Sequence, residues 1–169
     1  MRAAIRPKSA KSLAQKLNMI RYVKGDATEP QAKGPKAIVH CCNDLGAWGA
    51  GFVMALSKKW PVTREKYLEW HRERTSFALG AIQLVEVRKD ITVVNLIGQH
   101  GIRKGSKGPP ARYTAIRDGL ATLNKTLSAE FSIHMPRIGC GLAGGKWEKM
   151  EPIIEEALEG RDITVYDLG

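Results

Sequence analysis

The chain has 169 residues, 43% hydrophobic and 26% charged, with 27 Lys and Arg against 17 Asp and Glu for a formal charge of +10. These proportions are those of a globular domain with a full apolar core and exclude a disordered or collagen-like chain. No apolar run approaches the roughly 20 residues that cross a bilayer, and no apolar secretory stretch opens the chain, so no membrane partner and a cytoplasmic location are expected.

Residues 1–16 contain Arg2, Arg6, Lys8, Lys11 and Lys16 and no acid, which places half of the net charge in a segment that reads as separable. We divide the chain into a basic N-terminal extension at 1–18 and one domain at 19–169. An acid-poor arm serves as a solvated tail, as a contact to nucleic acid or as an organellar address.

Ile20 to Lys24 reads as a short strand, followed by a turn at residues 25–28. The nearly continuous apolar run Ala37 to Cys42 predicts a strand buried on both faces, and Asn43 then opens a glycine-rich loop. Phe52 to Lys59 and Thr63 to Arg72 are predicted helices separated by the break at Pro61. Ile82 to Val87 and Ile91 to Ile97 are strands joined at Lys89 and Asp90. Gly98 to Pro110 reads as a loop in which Arg103, Lys104 and Lys107, with the nearby Arg112, form a second acid-free basic cluster. Ile116, Leu120, Leu123 and Leu127 recur at helical spacing in Tyr113 to Leu127. Ile133 to Met135 is a strand, Gly139 to Gly145 a second glycine-rich loop, Trp147 to Leu158 a helix and Ile163 to Leu168 a final strand. Alternating strands and helices predict an α/β sheet with helices on both faces. The three cysteines Cys41, Cys42 and Cys140 have neither zinc spacing nor a disulfide pattern, and no metal is expected.

Both glycine-rich loops follow strands directly, so both belong at the carboxyl edge of the sheet, where α/β proteins bind ligands. Their peptide N–H groups and glycine backbone suit a diphosphate. Neither loop matches the dinucleotide or triphosphate fingerprints, and each taken alone reads first as a tight turn.

Taken together, GDAT at 25–28, IVHCCN at 38–43, GAGF at 49–52, MPRIGCGLAGGKW at 135–147 and TVYDL at 164–168 resemble the macrodomain family, over about nine tenths of the chain. The branch it is similar to contains terminal ADP-ribose protein glycohydrolases and enzymes that process ADP-ribose 1''-phosphate. The resemblance implies a single three-layer α/β/α macrodomain with a mixed, mostly parallel central sheet. It also implies ADP-ribose, or an ADP-ribosylated macromolecule, as ligand or substrate, with no separate cofactor. On that basis Asp26, with Ala27 beside it, accepts a hydrogen bond from the adenine amino group. Its other reading is a turn aspartate. Asn43 meets the distal ribose, while Gly49, Ala50, Gly51 and Phe52 line that ribose and the diphosphate. Gly139, Cys140, Gly141, Leu142, Ala143 and Gly144 wrap the phosphates.

Two departures bear on catalysis. In the glutamate-deADP-ribosylating branch a lysine follows the strand equivalent to Val93–Leu96 and an aspartate follows GCGL; this chain has Gln99 and Ala143. An amide cannot attack the sugar as an amine does, which removes the lysyl-intermediate route. The remaining acid/base candidates are His40 and His100, with Asp44 as an outside candidate, because imidazole and carboxylate both carry protons. Tyr113 is a candidate ligand contact or a core aromatic. The expected function is hydrolysis of an ADP-ribose derivative, either the 1''-phosphate or an O-linked adduct. The alternatives are a non-catalytic ADP-ribose reader and, from another class, a nucleic-acid-binding module using the basic arm.

Overall fold

Strand β2 (Lys36–Asn43) is buried along almost its entire length, as its nearly continuous apolar run requires of a strand with covers on both faces. The computed structural model describes residues 20–102 and 108–168. The extension at 1–18 and Arg103, Lys104 and Lys107 of the basic loop lie outside the described residues. Around β2 the chain builds β1 (Ile20–Lys24), β3 (Ile82–Arg88), β4 (Ile91–Gln99), β5 (Ser132–Met135) and β6 (Ile163–Asp167). Their order is β1-β6-β5-β2-β4-β3, with every pair parallel except the β3/β4 hairpin. The hairpin at Lys89 and Asp90 follows from the short polar break between two β-branched runs.

Side-chain alternation along β2 and β4 feeds two separate cores. Ala37, Val39, Val94 and Leu96 face helices α3 (Tyr113–Thr126) and α4 (Trp147–Ala157), meeting Ile116, Leu120, Met150 and Ile154. Ile38, Cys42, Val93 and Ile97 face the opposite layer, formed by α1 (Phe52–Lys59) and α2 (Val62–Glu73), with Trp48, Leu56 and Tyr67. The expected three-layer α/β/α architecture and mixed sheet are therefore present. Because β1, β2, β4, β5 and β6 run the same way, the segments after them all emerge at one edge. That edge carries both glycine-rich loops.

Candidate functional site

Parallel strands β2 and β5 are hydrogen-bonded neighbours, so the loops that follow them face each other across the carboxyl edge. Two adjoining cavities lie between these loops, one of about 360 Å³ and one of about 280 Å³, sharing Cys41, Ala50, Val53, Gln99 and Leu142 as walls. The larger compartment extends to Asn43, Ala47, Trp48, Gly49 and Ile102. The smaller runs under Gly51 and Phe52 to the 136–143 segment. The two loops thus share one cleft, as their positions in the sequence imply.

The first loop is shaped by side chains. Asn43 donates from Nδ2 to the Ala47 carbonyl at 2.7 Å and accepts at Oδ1 from the Leu45 and Ala47 N–H groups at 2.9 and 3.1 Å. Tyr67, reaching back from α2, donates to the Asn43 carbonyl at 2.6 Å and accepts from Gly46 N–H at 3.2 Å. The loop delivers the chain to Gly51, whose φ of 81° favours glycine and which begins α1. Among the described residues no side chain caps α1, and no acid stands in its first turn, so the partial positive charge of its leading N–H groups is left uncompensated at Gly51, Phe52 and Val53, which line the smaller compartment.

The second loop is shaped by backbone. Gly145 N–H donates to the Gly139 carbonyl at 2.8 Å, Gly144 N–H to Gly141 at 3.0 Å, and Ala111 N–H to the Ala143 carbonyl at 3.0 Å. A single 3₁₀ turn occupies Gly141–Ala143. Arg137 anchors its start by a two-bonded contact to Asp167 at 2.7 and 2.9 Å and lies over the rings of Tyr22 and Trp147 at 5.2 and 5.0 Å.

Most of the candidates drawn from the sequence line this cleft: Asn43, Gly49 and Ala50 in the larger compartment, and Gly51, Phe52, Gly139, Cys140, Gly141, Leu142 and Ala143 in the smaller or both. Leu142 is 75% exposed and forms part of the rim. Asn43 is more occupied than expected, since its carbonyl oxygen and one amide hydrogen are committed to its own loop; one N–H remains for a ligand. Asp26 stands at the end of β1 and borders neither cavity. Its Oδ1 accepts from Thr28 N–H and Oγ, both at 2.8 Å, so the turn reading holds for that oxygen and leaves Oδ2. Asp26 borders a separate hollow of about 770 Å³ over β1, β6 and β5. Ala27 is buried.

His40 borders the smaller compartment only from the core side. It is 1% exposed, its Nε2 is bonded to Asn95 Oδ1 in the core, and the Trp48 ring stands edge-on at 5.4 Å. Burial depresses its pKa to about 4, although the Asn95 contact opposes the shift, so the imidazole is neutral and locked. Tyr113 is also structural: it packs on the α3/α4 core, and its hydroxyl accepts Lys146 N–H at 2.9 Å. The thiols are poor nucleophiles. Burial pushes Cys41 up to about 12 and also raises Cys140, against the lowering influence of Arg137.

His100 is different. It is exposed at the end of β4, and its Nδ1 lies 2.7 Å from Asp44 Oδ2, at the end of β2. Gly101 N–H donates to the other carboxylate oxygen at 2.8 Å. Partial burial pushes the Asp44 carboxyl up, but the Gly101 N–H and the imidazole outweigh it and hold the group below its ordinary value. Sequence reasoning named both residues without pairing them. It missed Trp48 altogether, whose buried indole N–H has no hydrogen-bond partner among the described residues while the residue lines the larger compartment.

No protein-family model matches the chain. A macrodomain protein from Streptomyces coelicolor, a solved structure, is 46% identical with a TM-score of 0.79, covering 89% of this chain and 99% of that one. A Bacteroides thetaiotaomicron protein of unknown function is 54% identical with a TM-score of 0.85, covering 88% of this chain and 98% of that one. Among curated relatives, the ADP-ribose glycohydrolase OARD1 of Bos taurus is 30% identical over 88% of this chain and 91% of its own length. The ADP-ribose 1''-phosphate phosphatase of Saccharomyces cerevisiae is 28% identical over 90% of this chain and its full length. A chromodomain-helicase-DNA-binding protein 1-like protein of Danio rerio is 34% identical, but the chain spans only 15% of its length. With this sheet order, this cleft and these relatives along nearly the whole chain, the protein belongs to the macrodomain family.

Proposed function

We propose that the cleft binds ADP-ribose and that the protein hydrolyses an ADP-ribose derivative, an O-linked ADP-ribosyl adduct or ADP-ribose 1''-phosphate. The observation that carries this reading is the pair of adjoining cavities between the loops, faced on one side by the uncapped start of α1 and on the other by the Gly139–Ala143 backbone. Both surfaces present peptide N–H groups and neither presents a carboxylate, which suits a diphosphate. The distal ribose occupies the larger compartment beside Asn43, Gly49 and Ala50. The adenosine runs the other way along the strand ends toward Asp26, three strand spacings from β2, about 14 Å at the usual 4.8 Å per strand. There Asp26 Oδ2 accepts from the adenine amino group, an acceptor-only role that discriminates against a carbonyl at the same place. The relatives with glycohydrolase and phosphatase names support hydrolysis rather than any other use of the bound sugar.

A non-catalytic reader is the second reading. It is favoured by Gln99, which lines both compartments as a neutral amide and can neither attack the sugar nor move a proton. Calorimetric titration with ADP-ribose tests the binding shared by both readings: heat is expected with the wild-type protein and a strongly weakened isotherm with Asp26→Ala. Folded wild-type protein that gives no heat overturns both. Release of ADP-ribose from an O-linked ADP-ribosyl peptide, or of phosphate from ADP-ribose 1''-phosphate, supports the hydrolase; binding without turnover of either supports the reader.

A further inference from the structure

Asp44 and His100 form a pair that the ligand cradle does not need for its own construction. They are brought together by the parallel pairing of β2 and β4, whose register places Asn43 against Gln99. Asp44 N–H donates to the Gln99 carbonyl at 3.0 Å and His100 N–H to the Pro110 carbonyl at 2.9 Å, so both residues hang from paired backbone. Asp44 spends one oxygen on Gly101 N–H and the other on His100 Nδ1, which fixes the ring about its χ angles. The carboxylate is only 19% exposed whereas the imidazole is 55% exposed. His100 Nε2 makes no hydrogen bond among the described residues. Asn43 and Gln99, next to the pair in sequence, are walls of the larger compartment, as is Ile102 two positions beyond His100; the pair itself is not part of the wall and stands beside it.

We propose that His100 is the general base of hydrolysis and that Asp44 is its positioning residue. This rests on the reading that the larger compartment holds the distal ribose of an ADP-ribosyl adduct. Asp44 accepts the Nδ1 proton, which leaves the Nε2 lone pair facing outward, and its charge stabilises the imidazolium as it forms. Nε2 takes a proton from water while the water oxygen bonds to C1 of the distal ribose. The bond from C1 to the leaving oxygen breaks with its electron pair on that oxygen. The imidazolium then returns its proton to the leaving oxygen or, when that is a stable carboxylate, to solvent. One water is consumed, and free ADP-ribose and the free acceptor are the products. The role refused to Gln99 is thereby supplied by the next residue in the chain.

The test uses the full-length protein and a peptide carrying an ester-linked ADP-ribose. His100→Ala is expected to lower kcat about 10²- to 10⁴-fold, the usual contribution of a positioned acid or base, with ADP-ribose affinity unchanged by calorimetry. Added imidazole is expected to restore part of the rate in His100→Ala and to leave the wild type unaffected, an effect that a purely structural histidine does not give. Asp44→Asn, which keeps the shape, is expected to lower kcat with KM unchanged; Asp44→Glu recovers part of that loss. Full activity in His100→Ala overturns the proposal, as does a folded, inactive His100→Ala protein that imidazole cannot rescue. Wild-type protein that binds ADP-ribose but leaves the peptide intact overturns it too, while absent binding overturns the proposed ligand itself.

Discussion

The two loops of the cleft do similar work by opposite means. The 43–51 loop is held by side chains: the Asn43 amide and the Tyr67 hydroxyl take up the peptide groups of Leu45, Gly46 and Ala47. The 136–145 loop is held mainly by peptide groups, and at Gly139 and Gly145 a side chain has no room. Gly139 combines a φ of +71° with a virtual Cβ only 2.7 Å from Met150 Cε and 2.9 Å from Ile116 Cδ1. The first loop can therefore be loosened by removing a polar atom, and the second by adding a carbon.

The sharpest way to break this contrast is Gly139→Ala. Left-handed strain costs about 1 to 2 kcal/mol and overpacking about 1 to 3 kcal/mol, so a loss on the order of 3 kcal/mol in urea unfolding is expected, with ADP-ribose affinity falling alongside. An effect of comparable size should come from acid. His40, beneath the first loop, and His134, bonded between Ser132 and Tyr166, both have pKa values depressed to about 4, chiefly by burial. The unfolded chain binds these protons near pH 6.5 and the folded one does not, so the stability is complete above that pH and drains away as pH falls toward 4. Each histidine contributes on the order of 3 kcal/mol to this loss. Urea midpoints measured across that window should fall steadily, and His40→Asn should flatten part of the slope.

Tyr67→Phe comes next: it strands Gly46 N–H and the Asn43 carbonyl while keeping the ring, for about 1 to 3 kcal/mol by denaturant titration. Gly141→Ala is the control for Gly139. Its φ is +68°, but nothing lies within 4 Å of a virtual Cβ, so only the backbone penalty of about 1 to 2 kcal/mol applies. Leu142→Ala, at the exposed rim, should leave stability within about 0.5 kcal/mol and report only on ligand affinity.

The fold was largely legible because its signals are local. The continuous apolar runs of β2 and β4, the 3.6-residue spacing in α3 and the polar break between β3 and β4 each depend on neighbours in sequence. The cleft was legible as a location, since both loops follow strands. Individual side-chain roles were less so. His40 and His100 are both histidines near the ends of buried strands, yet one faces Asn95 and Trp48 in the core and the other emerges one step past β4. Asn43 read as a ribose contact, but Tyr67 and the loop's own peptide groups claim most of its amide. The Asp44–His100 pair spans 56 residues and exists only because β2 and β4 are parallel neighbours. No spacing rule in a single chain reports such a contact.

The placement of ADP-ribose between the two loops is tested most directly by backbone amide chemical shifts recorded during titration of the ¹⁵N-labelled protein with ADP-ribose. The largest perturbations are expected at Gly49 to Val53 and Gly139 to Gly144, with a second group at Asp26. Perturbations confined to Arg21, Lys33, Ser132 and Thr164, around the separate hollow over β1, β6 and β5, would contradict that placement.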